Sequence, residues 1–152
     1  MPRSLLTRSL ISGTVSGILT SAALLGLARM RGIPVWRSLN CTAHWLDGPK
    51  TAENEALELR QTGVGFGTNH AACIFWAGFV EAALGGGRVS WARAAATAAT
   101  VTVIAVPADY IATPKRFTPG WELVFRVRDI AIVYAAMAIG LTLGARLTHR
   151  DA

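Results

Sequence analysis

Between Arg8 and Arg29 lie twenty residues without a charge, SLISGTVSGILTSAALLGLA. A helix of that length rises ~30 Å, the thickness of a bilayer's hydrocarbon core. The stretch therefore predicts a membrane span over about residues 9–28. A cleaved secretory leader competes for the same residues, but its apolar region runs only about 7 to 15 residues. This run is longer and ends in LARMRG, with no A-x-A site.

The rest of the chain repeats the signal. Further apolar runs predict spans over about 65–85, 94–112 and 126–146, and composition agrees. Hydrophobic residues make up 52% of the 152 residues and charged ones 16%, against about 25% charge in soluble domains. Four spans consume about eighty residues, leaving too little chain for a separate soluble core. The expectation is an all-α membrane protein forming a single integral domain over 1–152, with four transmembrane helices in an up-and-down bundle.

The connections differ in kind. Gly85, Gly86 and Gly87 read as a tight turn, because glycine alone takes positive φ without penalty. In YIATPKRFTPGWE, two prolines stop helix three from continuing, and Thr118 before Pro119 suits an N-cap and first helical position for span four. The long loop 29–64 holds an amphipathic pattern. Val35, Leu39, Ala43 and Leu46 share one face, while Arg37, Cys41 and His44 share the other, which predicts a short helix lying in the headgroup region. TAENEALELRQTG predicts a second short helix with acidic residues in its first turn. Trp36, Trp45, Trp91, Tyr110 and Trp121 fall near span ends, as an aromatic belt does.

Small residues mark the packing faces. Gly13, Gly17 and Ser21 recur four apart on span one, beside Ser12, Ser16 and Thr20, and Ala136, Gly140 and Gly144 recur likewise on span four. Such rows let helix backbones approach closely where lipid competes for every apolar contact. Spans one and four are thus expected to cross, and the same faces would serve a homo-oligomer or another membrane protein equally well.

Charge narrows the partners. The net charge of +6 lacks the clustered basic face that nucleic acid requires and suits anionic lipid headgroups of a bilayer instead. The loops after spans one and three carry five and four Lys/Arg, against two each at the N-terminus, the glycine turn and the C-terminus. By the positive-inside rule both termini would lie outside the cytoplasm.

Chemistry is sparse. No GxSxG, P-loop, HExxH or paired carboxylates occur, so no catalytic residue, enzyme activity or cofactor is expected. CTAH (Cys41, His44) and HAAC (His70, Cys73) each place two ligand types at i and i+3, but a pair without a double Cys motif is a weak zinc signal, and metal is the lesser reading.

The informative polar residues sit inside spans. His70 and Glu81 are eleven residues apart, which returns them to one helical face while separating them by ~16 Å, so they cannot form one dyad. Phe75 and Phe79 fall on the opposite side, toward lipid. With Asp109, Arg126 and Asp129, these are the functional polar candidates, because ionisable groups within a membrane normally face the bundle interior. His70 is expected near Asp109, Asp129 and Arg126, and Glu81 near Arg8, Arg93 and Arg146.

GFGTNHAACIFWAGFVEAAL followed by TPGWE and a short final span resembles small bacterial inner-membrane proteins of the YagU type, over spans two to four. The resemblance implies a multi-pass inner-membrane location. Members of that group have no defined reaction, and one is linked to acid resistance, so no catalytic residue transfers. Two functions stand as expectations. One is a non-enzymatic component that packs with itself or a membrane partner. The other is a small transport or proton-linked protein with a polar track that includes His70 and Glu81.

Overall fold

The computed structural model describes residues 3–149. Arg150, one of the charges counted above, lies outside them. Four long helices account for most of the chain: α1 (Leu5–Met30), α4 (Leu59–Leu84), α5 (Trp91–Pro107) and α6 (Val127–Thr148). The short α2 (Arg37–Asn40) and α3 (His44–Asp47) lie in the loop after α1. No strand occurs among the described residues.

Local chemistry sets the helix ends. Ser4 and Ser90 cap α1 and α5, their hydroxyls accepting from the amides of Thr7 and Arg93 at 3.2 Å each. Gly85 ends α4 with φ of 72°, and Gly87 at φ 107° completes the reversal into α5. Pro107, lacking an amide proton, closes α5, and the chain widens into a π turn over Ala108–Ala112. The Thr113 amide donates to the Ala108 carbonyl at 2.9 Å across that turn.

Three helices are long and apolar enough to cross a membrane: Leu5–Met30, α5 with its π turn (Trp91–Ala112), and Val127–Thr148. The surface agrees with this. Leu6, Ile18, Phe75, Val103 and Ile139 are exposed, while Ser12, Ser16, Thr20 and Glu81 are fully buried. Apolar outside and polar inside is the arrangement a lipid solvent favours. Helix α4 is as long as α1, yet Thr62, Asn69, His70 and Glu81 lower its apolar character, and it is not among the three.

Helix α1 forms the axis of packing. Its Ser12 and Ser16 meet Gly144 and Gly140 of α6 so closely that a methyl at either glycine would overlap the serine backbone. Gly13 and Gly17 meet α4 instead, against Ile74 and His70. Ser21 is buried and accepts from the Asn69 amide at 3.1 Å, whereas Ala136 is only half-buried. The two neighbouring small-residue rows of α1 thus each hold a different helix.

Several loop expectations change. The 34–46 segment does not expose one polar face: every residue from Ser38 to His44 is buried in protein. The turn tightens to a 3-10 helix at Cys41–Ala43, so regular α-helical faces are not kept there, and Gly65 of α4 lies against the Leu39 carbonyl. Asn40 then fastens the loop, donating to the Asn54 and Ala56 carbonyls and accepting from Thr62 at 2.6 Å. The predicted helix in TAENEALELRQTG is replaced by a 3-10 turn at Pro49–Glu53 and the start of α4 at Leu59. Thr118 does not begin the last span. Its hydroxyl bonds Glu122 and the Lys115 carbonyl within a separate turn, and α6 starts at Val127. Trp121 is no interfacial anchor either, since it is buried against Tyr134 at 5.5 Å between ring centroids.

Candidate functional site

Polar side chains gather at two places along the buried face of α1. The first surrounds Glu81, whose side chain has no exposure. The Ser12 hydroxyl donates to Oε1 at 2.5 Å, Arg8 Nε donates to Oε2 at 3.2 Å, and Thr148 Oγ1 lies 3.1 Å from Oε1. His149 Nε2 lies 2.8 Å from Oε2, with the imidazole 1% exposed.

The hydrogen-bond inventory fixes where a proton must be. His149 Nδ1 is 2.8 Å from the Gly87 carbonyl, which only accepts, so Nδ1 carries hydrogen. The 2.8 Å contact at Nε2 then requires a second proton, on the imidazole or on the carboxyl. Without it two acceptors would face each other in a dry site. Helices α1, α4 and α6 therefore meet around one shared, buried proton.

Arginines surround this end of the molecule. Arg3 donates to the Leu147 and Thr148 carbonyls, Arg93 to Leu84 and Arg146 to Val89, so they satisfy backbone acceptors at or beside helix ends. Arg146 also lies 5.0 Å above the Trp91 ring. Of the three arginines expected at Glu81, only Arg8 reaches it.

From Glu81 a seam of buried hydroxyls follows α1: Ser12, Ser16 and Thr20, one turn or ~6 Å apart. Thr20 Oγ1 lies 3.7 Å from Cys73 Sγ, and Cys73 and Asn69 line the second site. This is a cavity of about 350 Å³ between α4, the π turn after α5, the buried loop and the Phe117–Trp121 link. Trp45, Trp76, Phe117 and Trp121 supply its aromatic walls, and Asp109 its one ionisable group besides Cys73. Tyr134 donates to Asp109 at 2.7 Å, and no cation pairs with that carboxylate among the described residues. Thr42 and Trp121 also border the cavity, with Thr42 Oγ1 and Trp121 Nε1 enclosed by protein and without hydrogen-bond partners among the described residues.

The other candidates separate. His70 is half-buried, its Nε2 3.1 Å from Thr14 Oγ1 and its ring beside Phe66, away from Asp109, Asp129 and Arg126. Gly17 lets the α1 backbone close on that imidazole. Asp129 is buried and paired with Arg31, not Arg126: both Arg31 Nε and an Arg31 terminal nitrogen donate to one carboxylate oxygen, at 3.0 and 2.6 Å. Arg126 is exposed at the start of α6.

The four metal candidates make no common site. His44 binds the Cys41 and Lys115 carbonyls, Cys41 donates to the Ser38 carbonyl, Cys73 faces Thr20 and His70 faces Thr14. No group of three or more His, Cys, Asp or Glu suited to a metal occurs among the described residues. Burial pushes the Cys41 thiol up to about 12.

His149 and Trp76 escaped the sequence reading. A signal for His149 existed: Leu141, Ala145 and His149 recur four apart, continuing the inner face of α6 one residue past its last turn. Comparison with protein-family models, curated proteins and solved structures finds no match.

Proposed function

We propose that the chain is a four-span, up-and-down protein of the bacterial inner membrane, with both termini outside the cytoplasm, and that it works as a small proton-linked transport component. One observation carries the reading: a buried polar seam leads from the proton-holding Glu81–His149 contact, along Ser12, Ser16 and Thr20, to the cavity at Asp109. The Ser16 and Thr20 hydroxyls donate to the Met137 and Ser16 carbonyls, and buried ionisable groups in a membrane are costly unless they serve a path or a partner. The track differs from the expected one, since it passes Cys73 and Asn69 and leaves His70 aside.

The location rests on the YagU-type resemblance and the inward charges, and the fourth span on α4. That helix has the length, ~39 Å, and its polar groups Asn69 and Glu81 are buried against α1 instead of facing lipid.

A non-enzymatic packing role, alone or with a membrane partner, has its own support: Glu81 is fully partnered and ties three helices. Purified protein in liposomes under an imposed pH gradient separates the readings. Transport predicts a proton flux well above that of empty liposomes, lowered at least tenfold by Glu81→Gln and by Asp109→Asn and kept by Ile139→Ala at the lipid face. A wild-type flux equal to that of empty liposomes, or variants that alter stability alone, would leave the packing role and end the transport reading.

A further inference from the structure

The cavity at Asp109 is built for a particular ligand charge. Asp109 receives only neutral hydrogen bonds, from Tyr134 and Trp76, and among the described residues no cation compensates it. A half-buried carboxylate in that state favours a ligand that brings positive charge. The walls favour the same partner. Trp45, Trp76 and Trp121 stand around the cavity, and indole faces attract cations through their quadrupole more strongly than other rings do. An ordinary hydrated metal ion would gain little from such walls, whereas an organic cation can bury its carbon groups against them.

Size sets a second requirement. The volume of about 350 Å³ holds roughly a dozen non-hydrogen atoms at the ~30 Å³ a water occupies.

We propose that this cavity binds a small organic cation, a protonated or quaternary amine with an apolar body, using Asp109 as counter-charge and the Trp45, Trp76 and Trp121 rings as its cage. The proposal names the substrate class of the transport reading above and rests on it for its physiological use, though binding is measurable without transport.

The test uses the full chain in a nonionic detergent, titrated with benzyltrimethylammonium and separately with its uncharged carbon isostere, neopentylbenzene, while tryptophan fluorescence is followed. The expected result is at least tenfold tighter binding of the cation, with that preference reduced to near unity by Asp109→Asn. Trp76→Leu, which leaves the charge in place, should weaken the cation severalfold and guards against an Asp109→Asn variant that fails to fold. Equal affinity for both probes, tighter binding of the neutral one, no binding of the cation, or a preference untouched by both substitutions would overturn the proposal. Binding of neopentylbenzene alone would sink the cation class but leave a ligand cavity for the transport reading. Selective cation binding without any proton flux would do the reverse.

Discussion

Removing the carboxylate of Glu81 should be the most damaging single change in the bundle. Glu81→Ala leaves the Arg8 guanidinium, 11% exposed, and the His149 imidazole, 1% exposed, without their shared acceptor. Breaking a buried charge pair by deleting one partner costs about 3–5 kcal/mol, chiefly because the survivor stays buried. Glu81→Gln keeps the volume and one acceptor oxygen but turns an amide donor toward existing donors, which costs about 1–3 kcal/mol. Ser12→Ala removes one interhelical hydrogen bond, worth ~0.6 kcal/mol in membrane interiors. The order Ala, Gln, then Ser12→Ala can be read from reversible unfolding in mixed detergent and SDS micelles, followed by far-UV circular dichroism. A Glu81→Ala variant within ~0.5 kcal/mol of the wild type, the range of an ordinary surface substitution, would contradict a buried, charge-paired Glu81.

Other perturbations probe separate parts. Gly140→Ala and Gly144→Ala drive a methyl into the Ser16 and Ser12 backbones and should each cost about 1–3 kcal/mol by the same unfolding assay. Gly67→Ala, in the same helix as Glu81 but with open space around it, should be neutral or stabilising by up to ~1 kcal/mol. The Cys41 thiol, pushed up to about 12 by burial, should resist maleimide at pH 7.5 in the folded protein and react once SDS unfolds it. The Arg60 hydrogen bond holds the Asp47 carboxyl below its ordinary range, so its stabilisation is present above the unfolded pKa and disappears as pH falls through the folded one. The stability difference between wild type and Asp47→Asn should therefore be largest near neutral pH and vanish in acid, and a difference constant with pH would contradict this.

Helix positions were legible because apolar runs and small-residue rows are local signals. The row Gly13, Gly17 and Ser21, and the glycines 140 and 144, mark real close approaches, although adjacent rows of α1 hold different partners. No helical wheel could reveal that, because it depends on which helix arrives at which side. The loop was harder. Arg37, Cys41 and His44 look like a solvent face, yet Arg37 donates to the Ala52 carbonyl at 2.6 Å and His44 finds two carbonyls, so tertiary partners remove the need for water. Glu81 was legible as an inward charge and Arg8 as its neighbour, whereas His149 reaches it from 68 residues away in sequence. The aromatic cavity was hidden for the same reason: Trp45, Trp76 and Trp121 come from three segments that only the fold unites.

The seam begins at the proton between His149 and Glu81, and nitrogen NMR of the protein labelled at histidine rings in liposomes observes it directly. His149 should show Nδ1 protonated, donating to Gly87, with Nε2 coupled to a hydrogen shared with the Glu81 carboxyl, and Glu81→Gln should alter the Nε2 signal while leaving Nδ1 protonated. A bare Nδ1, or an Nε2 signal indifferent to Glu81→Gln, would contradict the arrangement from which the seam begins.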